Sequence, residues 1–196
     1  MHLLLVTGFL GSGKTTFIIN LTQQAIQSGL RTAVLVNEIG EIGIDDQLMR
    51  QLDLNVWEMM NGCICCTLSS DLVLTLQQLD QDYDVDLVIV EPSGAAEPGN
   101  ILSALPYYKG KPLDSIKSIA LLDPLRIHEL HAMLTPLITK QVEKAEQIIL
   151  TKVDVATPAE IERAVEIAAE INPAAQVFSL SASQPLPAAL LQEILP

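Results

Sequence analysis

Three short stretches hold side chains in spacings that can do chemistry. Gly8-Phe9-Leu10-Gly11-Ser12-Gly13-Lys14-Thr15 fits G-x-x-x-x-G-K-[ST] in full, after an apolar run and at the start of a helical one. Glycines let such a loop curl until successive N–H groups face an anion, and the helix N-terminus adds roughly half a positive charge there. Lys14 is then placed to neutralise β- and γ-phosphates, and the Thr15 hydroxyl to ligate Mg²⁺. Gly8, Gly11, Ser12, Gly13 and Thr16 complete the expected nucleotide-binding loop. The second stretch, Gly62-Cys63-Ile64-Cys65-Cys66, contains all 3 cysteines of the chain. Cysteines this close cannot staple a fold, and an intracellular setting favours metal or redox chemistry. Thiolates select soft or borderline ions, so Zn²⁺ is chemically natural and Co²⁺ or Ni²⁺ also fit. Cys63, Cys65 and Cys66 are expected to supply two or three ligands. An acidic side chain, a water or a partner's group would complete the set. The third stretch is Glu91-Pro92-Ser93-Gly94, just after an apolar run. A carboxylate there acts on Mg²⁺ or its waters, and the Gly94 N–H can meet a γ-phosphate. Glu rather than the commoner Asp suggests action through a water.

Base choice is read from two later segments. Thr151-Lys152-Val153-Asp154 follows the run Ile148-Ile149-Leu150 and resembles the [NT]-K-x-D motif of GTPases. The Asp154 carboxylate can accept from both guanine N1–H and the 2-amino group. Adenine would leave it unpaired, which is costly in a dry pocket. The Lys152 stem would lie along the base plane. Ser181-Ala182, after the next apolar run, resembles the loop that contacts guanine through backbone N–H groups. GTP is the expected nucleotide.

The elements that must position these residues follow from hydrophobic spacing. Short apolar runs at 2–7, 32–37, 54–60, 85–91, 115–122, 146–151 and 175–180 read as buried strands. Residues 14–28 present Phe17, Ile18, Leu21, Ala25 and Ile26 at helical spacing, closed by Gly29. Residues 158–171 form a second helix, opened by Thr157 as N-cap and Pro158 at its first position. Unalternating strands separated by helices imply an α/β fold: three layers, with a mostly parallel central sheet of about seven strands flanked by helices. Ligands of such sheets bind beyond the carboxyl ends of the strands. Segment 106–114 reads as a long surface loop, with Tyr107, Tyr108, Lys109 and Lys111 as docking candidates. His128 and His131 share a helix face but have no further ligands nearby in sequence.

With 196 residues the chain suits one domain, 1–196, with a sizeable core. Its formal net charge of −13 gives no electrostatic footprint for nucleic acid or an anionic membrane surface. No apolar run approaches the ~20 residues of a bilayer span, and the start has no basic n-region. A cytoplasmic protein is expected.

In order along the chain come G-F-L-G-S-G-K-T-T, V-N-E-I-G-E-I-G-I-D at 36–45, G-C-I-C-C, E-P-S-G-A-A-E-P at 91–98 and T-K-V-D. This set resembles the CobW-type P-loop GTPases, relatives of the accessory proteins UreG and HypB. The resemblance covers essentially the whole chain and implies a slow GTPase that loads or delivers zinc, cobalt or nickel, or supports corrinoid chemistry. It places Glu38 and Asp45 in a first switch, where with Thr15 and Glu91 they are expected around Mg²⁺, and Glu91–Gly94 in a second. The cysteine motif lies between the switches. The implied partner is a client metalloenzyme or corrinoid protein, and a nucleotide- or metal-dependent homodimer is expected. Typical relatives carry a further C-terminal domain after the GTPase domain, often with a His-rich stretch, whereas this sequence stops at Pro196; that domain is expected to be absent or supplied by another subunit. Two other readings fit the same motifs. One is a GTPase acting as conformational chaperone for a cobalamin-dependent enzyme without metal transfer, and the other a regulatory module whose cysteines sense redox state.

Overall fold

The computed structural model describes residues 1–36, 56–58, 68–92 and 97–196. In chain order the strands are β1 (His2–Gly8), β2 (Thr32–Val36), β3 (Val56–Glu58), β4 (Leu87–Glu91), β5 (Ser115–Leu122), β6 (Gln147–Leu150) and β7 (Gln176–Ser179). The helices are α1 (Lys14–Gln27), α2 (Leu68–Asp82), α3 (Pro98–Ala104), α4 (Ile127–Val142), α5 (Pro158–Ile171) and α6 (Ala188–Ile194). The strands form one sheet in the order β3-β2-β4-β1-β5-β6-β7, and every described pairing is parallel. The mostly parallel sheet of about seven strands expected from the sequence is thus present, and parallel throughout the described pairings. Strand β5 fills its apolar stretch, β1 extends one residue beyond, and β4, β6 and β7 are each two residues shorter, because pairing rather than hydropathy sets the ends.

Side-chain alternation explains the three layers. On β1, Leu4 and Val6 face α1 and α6, packing with Phe17, Ile18, Leu21, Leu190 and Ile194. Leu3 and Leu5 face the other side, against Leu72, Leu76 and Leu79 of α2 and Ile101 of α3. Beyond β1, Ala120, Leu122, Ile148 and Leu150 pack with Ile127, Ile138 and Val142 of α4 and with Ala164 and Ile167 of α5. Full burial of each such aliphatic side chain stabilises by roughly 1.5–3 kcal/mol. A strand buried on both faces has no polar side, which is why the runs lack alternation.

Helix ends match their sequence signals. Gly29 sits at φ 86°, with its N–H on the Ile26 carbonyl and the Leu30 N–H on that of Ala25. This is a Schellman ending, with Ser28 as the cap residue and Gly29 one position beyond. Thr157 and Glu160 form a reciprocal capping box at the start of α5, with Pro158 at its first position. Helix α4 departs from helical dihedrals at Leu134, two residues before Pro136, whose ring cannot tolerate a straight preceding turn.

Segment 106–114 is less of a free loop than its composition suggests. It begins in a turn of 3₁₀ helix, Leu105–Tyr107, and Tyr108 packs partly buried against the α2 side of the core. Burial and the neighbouring Asp80 carboxylate push the Tyr108 phenol up to about 12. Tyr107 alone of the pair is strongly exposed, at 74%.

Candidate nucleotide site

The loop between β1 and α1 sits at the carboxyl end of the central strand, with β4 on one side and β5 on the other. Three of its glycines have left-handed φ values: Gly8 at 145°, Gly11 at 78° and Gly13 at 87°. At Gly8 a side chain is excluded on space as well, because an added Cβ would lie 2.6 Å from the Leu121 carbonyl oxygen. Gly13 is the N-cap residue of α1, so the helix starts directly at Lys14.

Consecutive carbonyls of this loop are held from outside by side chains of other elements. Arg126 Nη1 donates to Leu10 O at 3.1 Å, Lys152 Nζ to Gly11 O at 2.7 Å, and Thr151 Oγ1 to Ser12 O at 2.8 Å. In a trans peptide the carbonyl and the following N–H point opposite ways, and no cis bond occurs here. Drawing these carbonyls outward turns the Gly11 and Gly13 amides to the other side of the loop, the arrangement of an anion-binding nest. Lys14 lies over the loop, its Nζ 3.4 Å from Phe9 O and 3.8 Å from Glu91 Oε1. Glu91 ends β4 in register with Val36 of β2, with a side chain 15% exposed. Thr15 is half-buried on the first turn of α1, and Thr16 beside it is exposed.

The base-reading segments meet the same loop. Thr151 is fully buried, and its backbone N–H also bonds to Leu122 O at 2.9 Å, joining the end of β6 to that of β5. Lys152 carries a left-handed backbone, φ 54°. Its ammonium bridges Gly11 O and Asp123 Oδ2, both at 2.7 Å. Asp154 follows on an exposed turn. Ala182 is buried, and its Cβ would touch one added at Gly13, at 3.8 Å. Ser181 and Ser183 share a hydroxyl contact of 2.9 Å. The loop carrying them is pinned to α1 by Asn20, whose amide donates to Ala182 O at 2.7 Å and Gln184 O at 3.0 Å.

Lys14, Thr15, Glu91, Thr151, Lys152, Asp154, Ser181 and Ala182 thus gather at one end of the sheet. Glu38, Asp45, Cys63, Cys65, Cys66 and Gly94 lie outside the described residues. Asp123, Arg126 and Asn20 were missed by sequence reading. Asp123 had one signal, an acidic residue directly after a buried strand; Arg126 and Asn20 had none. His128 and His131 fall on α4, and among the described residues no group of three or more His, Cys, Asp or Glu side chains is poised for a metal. No described helix is long and apolar enough to cross a membrane.

A parallel sheet with a glycine loop leading into a helix beyond its central strand defines a P-loop nucleotide-binding fold. The nucleotide-binding domain of the CobW/HypB/UreG family matches residues 2–179, and the chain belongs to that family. It is 36% identical over 186 residues to the zinc chaperone YjiA of Escherichia coli, a match spanning 90% of this chain and 56% of that protein. The zinc-bound crystal structure of the E. coli YjiA GTPase superposes with a TM-score of 0.70 at 28% identity, covering 97% of this chain and 60% of the other. HypB from Helicobacter pylori, solved in complex with nickel, shares the fold with a TM-score of 0.68 at 18% identity, covering 94% of this chain and 80% of that one. The chain thus spans little more than half the length of YjiA.

Proposed function

We propose that this chain binds and slowly hydrolyses GTP and couples nucleotide state to the holding and handing-on of a transition metal, with zinc as first candidate. The observation that carries the nucleotide half is the clamp on the loop carbonyls. Side chains of the T-K-x-D segment hold the phosphate loop in shape, so base recognition and phosphate binding share one scaffold.

The residues have distinct tasks. The Gly11 and Gly13 amides and the α1 N-terminus receive phosphate oxygens, and Lys14 leaves Phe9 O and Glu91 to neutralise their charge. Asp154 and the Ser181–Ala182 loop select guanine, and Lys152 covers its plane. The Thr15 hydroxyl and the Glu91 carboxylate are hard oxygen donors at adjoining strand and helix ends, a donor set that suits Mg²⁺. When bound, Mg²⁺ would supply charge neutralisation between the phosphates. Glu38, Asp45 and Gly94 are proposed as switch residues, and Cys63, Cys65 and Cys66 as the grip on the metal. The zinc named for YjiA and its structure supports that choice, and thiolate chemistry agrees with it. A client metalloprotein is the proposed recipient.

Coupling is tested by titrating Zn²⁺ or Co²⁺ into protein loaded with a non-hydrolysable GTP analogue and into protein loaded with GDP. The GTP-analogue form should bind the metal more tightly, and by linkage the metal should tighten the GTP analogue over GDP by the same factor. A full switch from 1:99 to 99:1 requires about 5.5 kcal/mol of differential affinity. Equal metal affinities in the two forms would end the coupling proposal. Loss of metal binding in a triple Cys63→Ser/Cys65→Ser/Cys66→Ser variant is expected.

A further inference from the structure

Asp123 occupies a position that no task above uses. It follows β5 directly and is 5% exposed, so its carboxylate must be compensated inside the fold. Oδ1 accepts from the Leu125 N–H at 3.0 Å, and Oδ2 accepts from Lys152 Nζ at 2.7 Å. Its backbone carbonyl accepts from the N–H groups of Arg126 and Ile127, at 3.0 and 2.9 Å. Of the three outside donors to the phosphate loop, Lys152 is gripped directly by this carboxylate, and Arg126 stands in the turn that the Asp123 carbonyl closes.

Lys152 needs such a partner. A left-handed backbone at a residue with a side chain is strained, and it persists only where the surroundings over-determine it. Its carbonyl is held by the N–H groups of Val155 and Ala156, both at 3.1 Å, and its ammonium by Asp123 and Gly11. An ammonium on a four-carbon stem has many rotamers, and a buried carboxylate selects one that brings the ammonium to the Gly11 carbonyl.

We propose that Asp123 is a positioning residue for guanine selection, acting through Lys152 to fix the lysine stem against the base, and so hold the base edge toward Asp154, while its ammonium latches the phosphate loop. This rests on the guanine-nucleotide reading of the site. Asp123 touches no nucleotide atom in this account, so its effect should vanish when Lys152 is absent.

The experiment measures GDP and ADP affinities of the full chain as wild type, Asp123→Asn, Lys152→Ala and the double variant, with apo thermal melts alongside. Asparagine can still accept from Leu125 N–H but turns an amide toward the ammonium. GDP affinity should fall about ten- to hundredfold, the range for a lost hydrogen bond to a charged group. The GDP-to-ADP preference should narrow, which a merely structural weakening would not cause. The double variant should bind GDP no more weakly than Lys152→Ala alone. Wild-type affinity in Asp123→Asn, an unchanged GDP-to-ADP preference, or additive losses in the double variant would each overturn the proposal. Should Asp123→Asn fail to melt cooperatively, Asp123→Ser, which can also cap Leu125, carries the same measurements. A wild type that binds no guanine nucleotide would defeat the guanine reading itself, an outcome distinct from a wild type that binds GDP and tolerates the substitution.

Discussion

The carboxyl ends of β1, β5 and β6 and the amino-end rim of the same sheet both gather charged side chains, but these bond to different things. At the amino ends, charges pair with each other. Arg31 donates through Nε and Nη2 to the two oxygens of Asp86, at 2.8 and 2.6 Å, and also reaches Asp84. The N-terminal ammonium meets Asp114, and Lys111 meets Asp80. The charges named here each find an opposite, and Arg31 holds the Asp86 carboxyl down at about 2. At the carboxyl ends, cations also reach backbone carbonyls of the glycine loop: Arg126 bonds to Leu10 O, Lys152 to Gly11 O as well as to Asp123, and Lys14 keeps a loose 3.8 Å contact with Glu91. One end is closed by neutralised pairs. The other turns its cations toward the carbonyls of the glycine loop. The lesson is that the partner of a charge, not its presence, separates a structural rim from a binding site.

If that contrast is right, changes at the carboxyl end should move ligand binding with little effect on stability. Lys14→Met should weaken GTP and GDP binding by about a hundredfold or more, since a charge-assisted contact to phosphate is lost, while the apo melting midpoint stays nearly unchanged. Equilibrium titration with a fluorescent GDP analogue reads the first quantity, and calorimetry the second. A large loss of apo stability would break the comparison.

Asp154→Asn should have a smaller and more selective effect. Its amide offers one acceptor and one donor where guanine needs two acceptors, so GDP affinity should fall about tenfold or more. Xanthosine diphosphate, with a carbonyl in place of the 2-amino group, should gain relative to GDP. Competition between the two nucleotides checks this, and an unchanged ratio would separate Asp154 from base recognition.

The amino-end counterpart is the smallest. Asp86→Asn should leave nucleotide affinity unaltered and lower stability by under about 1 kcal/mol, because Arg31 is 54% exposed and the pair is screened. The Asp86 pKa is depressed in the folded state, so its contribution is present above the unfolded carboxylate range near 3.9 and disappears as pH falls through about 2. Melting curves of wild type and variant should therefore differ at pH 6 and converge near pH 2. A difference that grows on acidification would contradict the pairing.

What could be read before folding and what could not divides along contact range. The glycine loop, Gly29, the Thr157–Pro158 start and the apolar runs are local signals, each set by φ, by a cap or by a spacing of residues. The sheet order, with β1 between β4 and β5, appears in no single stretch. Asp123 looked like the residue after a strand, and Arg126 like one charge on a polar loop. Asn20 sat on a helix with no visible task until the 181–184 loop was brought against it. The tyrosine pair shows the same limit, since composition cannot tell that Tyr108 turns inward and Tyr107 does not.

By itself the sequence determined which segments curl, which extend and which chemical groups are present. G-F-L-G-S-G-K-T must form a loop with left-handed turns, because only glycine takes those dihedrals without strain at Gly8, Gly11 and Gly13. Tertiary structure decided how that loop is held. Parallel pairing brings the ends of β5 and β6 beside it, and only then can Arg126, Thr151 and Lys152 reach its carbonyls, with Asp123 holding the Lys152 ammonium. Hydrogen bonds between residues more than a hundred positions apart depend on the sheet order, and that order is set by burying two apolar faces at once.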